Sequence, residues 1–246
     1  MEKISRLTDA LNVLQWEDIA KIIHLFRSVT AAEENDIPMK TVYERVLKQF
    51  KLAKYSEENV KDIIPEFLTI VSQKDRVRTN FNLNESQVRI LDEINNNKKF
   101  LSIYKERVEG VSSVLAAFCA IRAYFKKTEI FYINPTGALN QIARNRIIDF
   151  LEQLNSHLNL LSGESSMYLE KSPNAIRLSN GSAIYFRLQD NFHNFVRGHR
   201  ADYVIIDEIS FIKNALDTIN AAKVAMADDG KIVTTETVRE QHYESF

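Results

Sequence analysis

The run Tyr203-Val204-Ile205-Ile206-Asp207-Glu208 narrows the folds open to this chain more than any other stretch. Tyr203 to Ile206 are apolar throughout and mostly β-branched, without the polar alternation of a strand that faces water on one side. They predict a central strand covered on both faces. Strands of that kind belong to mostly parallel sheets, whose ligands bind at the carboxyl ends. Asp207 and Glu208 stand at that end, where Asp207 could hold a magnesium ion, directly or through water, and Glu208 could orient and deprotonate an attacking water. The same hexapeptide also fits a strand that simply exits into a polar turn, and a phosphate loop upstream would decide between the two.

A parallel sheet requires strands and helices in alternation, and from residue 99 onward the sequence supplies them. Strands are expected over Phe100 to Tyr104, Glu129 to Asn134, Ala175 to Leu178, Ser182 to Leu188, Tyr203 to Ile206 and Lys231 to Thr235. Helices are expected over Ser112 to Lys126, Leu139 to Leu154 and Asn214 to Val224. Asn180-Gly181 predicts a hairpin, because this pair supplies the positive φ angles of a two-residue turn. Before residue 109 the pattern differs, since all six glycines (Gly110, Gly137, Gly163, Gly181, Gly198 and Gly230) come later. Leu11, Leu14, Ile19, Ile22, Ile23 and Phe26 recur at helical spacing, as do Val42, Val46, Leu47 and Phe50. Further helices are expected over Glu57 to Ser72, interrupted near Pro65, and over Glu85 to Asn95. The division that follows is a small all-helical domain or subdomain over 1–80, with a polar connector at 73–84, and an α/β domain over 81–246. Residues 1–80 could equally be an extension packed on that domain.

Composition excludes several classes of function. Thirty-two basic against 33 acidic side chains give a net charge of −1, so any nucleic-acid surface must be a local patch. The single cysteine, Cys119, sits in an apolar stretch and has no disulfide partner, which fits a reducing compartment and core filling. The five histidines lack metal-ligand spacing, and no G-x-S-x-G motif appears. No apolar run reaches the roughly 18 to 20 residues that span a bilayer, and the charged N-terminus lacks a signal-peptide core, so an intracellular protein is expected.

The segment Tyr104-Lys105-Glu106-Arg107-Val108-Glu109-Gly110-Val111-Ser112-Ser113 lies between an expected strand and an expected helix. There, backbone N–H groups and a helix N-terminus can cradle phosphates. The usual G-x-x-x-x-G-K-[ST] pattern is broken twice: Lys105 replaces the first glycine, and Val111 the lysine before Ser112. Lys105 could supply the displaced cation to the β- and γ-phosphates, Ser112 a hydroxyl for Mg²⁺, and Arg107 a guanidinium for the γ-phosphate. The plain alternative is a strand-to-helix connection with solvated Lys and Arg. Arg144 and Arg146, on the helix after the second strand, read as a solvated face.

Taken together and in order, these motifs resemble the ATPase domain of the large terminase subunit, the motor that packages DNA into tailed-phage heads. The resemblance covers roughly residues 80 to 240. Terminases often carry an Arg-rich, irregular phosphate loop, some with its lysine at the start, as Lys105 through Ser112 would be. An Arg-Gly pair commonly precedes their acidic strand, here Arg197-Gly198. The hairpin through Gln189 and the Asn134-Pro135-Thr136 turn also look like family elements. Gln87 is similar to the glutamine that reads the adenine edge, although Asn84 and Gln87 alone also make a capping box. Lys231 to Glu236 resembles the coupling motif, in which Thr234 and Thr235 would sense the γ-phosphate; Glu236 departs from the small or hydroxyl residue expected there.

The resemblance implies a P-loop NTPase fold of the additional-strand type, with ATP and Mg²⁺ as cofactors. Gln87, Lys105, Arg107, Gly110, Val111, Ser112 and Ser113 would bind nucleotide, Ser112 and Asp207 would hold the metal, and Glu208 and Arg107 would be catalytic. It implies double-stranded DNA as a partner, together with a portal protein, a small terminase subunit and a homo-oligomeric ring on the capsid. It further implies a soluble viral protein in the host cytoplasm. Ten residues follow Glu236, so nuclease activity is not expected in this chain. Two alternatives stay open: a degenerate, non-hydrolysing DNA-binding or structural subunit, and a helicase-like nucleic-acid-dependent ATPase.

Overall fold

In the computed structural model of the protein, the described residues are 55–71, 76–96, 99–106, 110–158 and 167–237. The helices expected around Leu11 to Phe26 and Val42 to Phe50 lie outside them, as does Arg107. The described residues within 55–155 and 167–237 form one compact unit.

A sheet of seven strands organises the unit. In chain order these are β3 (Phe100–Lys105), β4 (Glu129–Asn134), β5 (Tyr168–Lys171), β6 (Ala175–Leu178), β7 (Ala183–Leu188), β8 (Ala201–Ile206) and β9 (Met226–Thr237). Their spatial order is β3-β9-β8-β4-β7-β6-β5. The first five pair in parallel, while β6 and β5 continue the sheet antiparallel. Strand β9, the last of these in the chain, is therefore inserted between β3, whose last residue is Lys105, and β8, which Asp207 follows. That insertion defines the additional-strand arrangement.

The unbroken apolar runs of β4 and β8 follow from helices on both faces of the sheet. On one side, Phe131, Ile133, Val204 and Ile206 pack with Phe192 and Val196 and with Ala221, Ala222 and Ala225. These come from or adjoin helices α5 (Gln189–Phe195) and α6 (Ala215–Ala225). Helix α3 (Val111–Phe125) buries nearly its whole length, with Phe118 meeting Tyr203 edge-on at 5.0 Å. Helices α1 (Val60–Phe67) and α2 (Glu85–Asn95) contact α3. Helix α4 (Gly137–Leu158) is tied to the small hairpin β1 (Thr69–Val71) and β2 (Arg78–Asn80). Gln153 Oε1 accepts the Thr69 N–H at 2.7 Å, and Arg78 pairs with Asp149 at 2.8 Å.

Several expectations need correction. Helix α1 passes through Pro65 but stops at Phe67, and Thr69–Val71 is a strand, so the helix expected as far as Ser72 does not form. The β6–β7 hairpin does form, but only Gly181 is left-handed (φ 87°). Its N–H closes a turn onto the Leu178 carbonyl at 3.0 Å, so the connection is longer than the two-residue turn expected from Asn-Gly. Strand β9 also runs on beyond Thr235 to Thr237.

Candidate active site

Parallel pairing brings the carboxyl ends of β3, β9, β8 and β4 to one edge, where Lys105, Thr237 and Asn134 at the strand ends and Asp207 just after β8 line a cavity of about 490 Å³. Lys105 is the last residue of β3, and its side chain is 6% exposed. The ammonium lies 2.9 Å from Asp207 Oδ1, 2.9 Å from Glu208 Oε1 and 3.1 Å from Ser112 Oγ. The solvated reading of Lys105 is thereby excluded. A buried ammonium is tolerable only with such compensation, and here three oxygens supply it, two from the residues that follow β8 and one from the start of α3.

Asp207 is bound from every side. Thr235 Oγ1 donates to Oδ1 at 2.5 Å and the Tyr132 phenol to Oδ2 at 3.2 Å, and the Asp207 N–H reaches the Ile133 carbonyl. Burial alone would raise this carboxyl. The charge of Lys105, with the hydrogen bonds from Thr235 and Lys105, outweighs burial and holds it below the usual carboxylate value. Burial, and next the charge of Asp207, push the Tyr132 phenol well above its ordinary value, so it stays a proton donor.

Glu208 adopts the left-handed conformation (φ 59°, ψ 51°), uncommon for a residue with a side chain and here fixed by its surroundings. Its N–H donates to Thr235 Oγ1 at 3.0 Å, and the Thr237 hydroxyl reaches its carboxylate at 2.8 Å. Thr235 thus touches both acidic residues through one hydroxyl. Thr234, on the other face of β9, contacts Ser102 at 3.2 Å and does not line the cavity. Thr237 does line it, although the sequence pattern ends the strand at Thr235; side chains alternate along a strand, so 235 and 237 share a face.

Gly110 caps α3 at φ 72°, and Gly110, Val111, Ser112 and Ser113 all line the cavity. The Ser113 and Val114 N–H groups turn back to the Gly110 carbonyl. Gln87 lies against this loop but does not line the cavity. Its side chain and Asn84 form the capping box of α2, with Oε1 accepting the Asn84 N–H at 3.1 Å. A Cβ on Gly110 would come within 2.8 Å of Gln87 Nε2. Gly110→Ala is therefore expected to lower unfolding stability by about 1–2 kcal/mol, the cost of a left-handed side-chain residue, as measured by urea denaturation.

Asn134, Pro135 and Thr136 line the cavity, as do Leu139, Ile142, Ala143 and Arg146 of α4 and Phe211 of the turn after Glu208. Arg146 is the lining residue that the sequence pattern assigns to a solvated face. Its spacing from Leu139 and Ala143 places it on their side of the helix, a signal the sequence does contain.

No protein-family model matches this chain, and no curated protein sequence matches it. Among solved structures, the large terminase of bacteriophage HK97 is similar over 73% of this chain and 37% of its own length, with 14% sequence identity and a TM-score of 0.55. The ATPase domain of the Thermus phage P74-26 large terminase covers 65% of this chain and 66% of its own, with 16% identity and a TM-score of 0.46. The large terminase of another thermophilic bacteriophage covers 63% and 39%, with 15% identity and a TM-score of 0.45. This chain thus spans well under half of the first and third of these proteins. The likeness to HK97 terminase is one of fold. Among the described residues no helix is long and apolar enough to cross a membrane.

Proposed function

We propose that this chain carries the ATPase unit of a viral DNA-packaging motor, coupling Mg-ATP hydrolysis to translocation of double-stranded DNA into a capsid. The observation that carries the reading is the meeting of Lys105, Ser112, Asp207 and Glu208 at the carboxyl ends of β3 and β8. The oxygens of Ser112 and Asp207 already surround a cation, and they are the hard donors that magnesium prefers. Among the described residues no group of three or more His, Cys, Asp or Glu could hold a metal by itself. Phosphate oxygens must then complete the shell, which is how magnesium is usually bound beside one or two carboxylates. When bound, the ion neutralises charge on the phosphates.

The protein's own groups take the remaining roles. The Gly110 turn and the first N–H groups of α3 cradle phosphate, and Lys105 exchanges carboxylate oxygens for phosphate oxygens. Glu208 accepts a proton from the attacking water, its carboxylate aimed by Thr237 and its backbone by Thr235. Contact with both acidic residues makes Thr235 the group that senses hydrolysis, while Thr234, its partner in the coupling motif, faces Ser102. Arg107 keeps the role of stabilising the transition state. Gln87 can read an adenine edge only by releasing the N-cap of α2; supporting Gly110 is the role its contacts fit. Double-stranded DNA, a portal protein, a small terminase subunit and further copies in a ring are the partners this reading requires.

The test is equilibrium ATP binding and phosphate release by the purified chain, with and without double-stranded DNA. Binding with DNA-stimulated hydrolysis is expected. Absence of binding overturns the reading, and binding without hydrolysis marks the degenerate, non-hydrolysing alternative.

A further inference from the structure

The cavity holds a second cation besides Lys105. Leu139, Ile142, Ala143 and Arg146 follow one another at i, i+3, i+4 and i+7 along α4 and form the helix face that lines the cavity. Arg144, nearby in sequence, is used elsewhere: its Nε donates to the Ser172 carbonyl at 2.6 Å. Arg146 is half-buried and has no hydrogen-bond or ion-pair partner among the described residues. Among the described residues, the charged side chains lining the cavity are Lys105 and Arg146 against Glu106, Asp207 and Glu208. Lys105 is already matched by the two carboxylates it touches. Among the described lining residues, Arg146 is therefore the cation that can meet an incoming anion without giving up a carboxylate.

Its position within the cavity fixes which part of the anion it meets. The strand order sets β4, which α4 follows, directly beside β8, and Tyr132 of β4 donates to Asp207 at the tip of β8. Arg146 thus stands at the end of the cavity that holds the two acidic residues, where the reacting phosphate must lie if Glu208 acts on water. A guanidinium can hold two phosphate oxygens at once in its planar fork.

The geometry points to Arg146 as the residue that binds the terminal phosphate of the nucleotide and so distinguishes triphosphate from diphosphate. This assignment rests on the nucleotide reading of the same cavity. It makes ATP recognition depend on α4 as well as on the phosphate loop.

The experiment is a fluorescence titration of the full chain with mant-ATP and mant-ADP in Mg²⁺, using wild type, Arg146→Ala and Arg146→Lys. Arg146→Ala should lose about tenfold or more in mant-ATP affinity, the loss typical of one charge-assisted contact, with mant-ADP affinity unchanged. Arg146→Lys should keep part of the preference, since it retains the charge but not the fork. If wild type binds both nucleotides and folded Arg146→Ala loses neither, or both equally, the assignment is overturned while the nucleotide reading survives. Should Arg146→Ala fail to fold, Arg146→Lys decides: a smaller selective loss of mant-ATP supports the assignment, and unchanged affinity overturns it. A wild type that binds neither nucleotide overturns both.

Discussion

Glu208→Gln is expected to reduce steady-state ATP hydrolysis by at least about a hundredfold, the scale of a lost general base, while ATP affinity stays close to that of wild type. The amide is nearly isosteric with the carboxylate, and its oxygen can still accept from Thr237. The backbone bond to Thr235 does not involve the side chain, so the left-handed turn should persist. Lys105 loses one partner but keeps Asp207 and Ser112. What disappears is the ability to take a proton from water. Single-turnover phosphate release beside a nucleotide-binding titration separates the two effects, and turnover at the wild-type rate would show that Glu208 is not the base.

Lys105→Ala should be the most destabilising single change at this site, costing about 3–5 kcal/mol near neutral pH, because it leaves a buried carboxylate without its counter-charge. It should also change the sign of the pH dependence. In the wild type the Asp207 carboxyl is held below its unfolded value, so its contribution is fully present above the unfolded carboxylate pKa and lost as pH falls through the folded one. Without Lys105, burial becomes the dominant influence and raises the carboxyl. A raised carboxyl makes the variant least stable at high pH and progressively more stable as pH falls toward protonation. Urea denaturation across the acidic-to-neutral range reads both slopes. Lys105→Ala/Asp207→Asn should recover much of the loss, since the double variant buries no uncompensated charge at this pair. Additive costs in the double variant would mean that the two side chains do not act as a pair.

Burial on two faces makes the sheet's centre legible in the sequence. Strands β4 and β8 read as continuous apolar runs because helices cover both sides, and β3 and the start of α3 are marked by the change at Gly110. The elements that escape such a reading lack these signals. Strand β5 exposes Leu169 and alternates only weakly, β1 and β2 are three residues each, and α5 reads as a polar segment held by Phe192. The site is legible as residue types but not as contacts. Nothing in the sequence says that Lys105 will meet a carboxylate 102 positions away; the strand order does. Arg146 is misread because a charge on a helix ordinarily faces water, although its spacing from Leu139 and Ala143 puts it on the face that lines the cavity.

The position of β9 also dictates an order of events during synthesis. Among the described strands, β3 has β9 as its only neighbour, and their register aligns Phe100 with Ile232 and Lys105 with Thr237. A ribosome makes β3, β4, β7 and β8 before β9 exists, so until then β3 lacks the strand it pairs with. In that interval β3 is an unpaired edge, open to wrong partners. Lys105 and Asp207 also lack the strand that sets their spacing. The candidate site is therefore complete only once β9 has paired between β3 and β8. Such long-range parallel pairing is intrinsically slow.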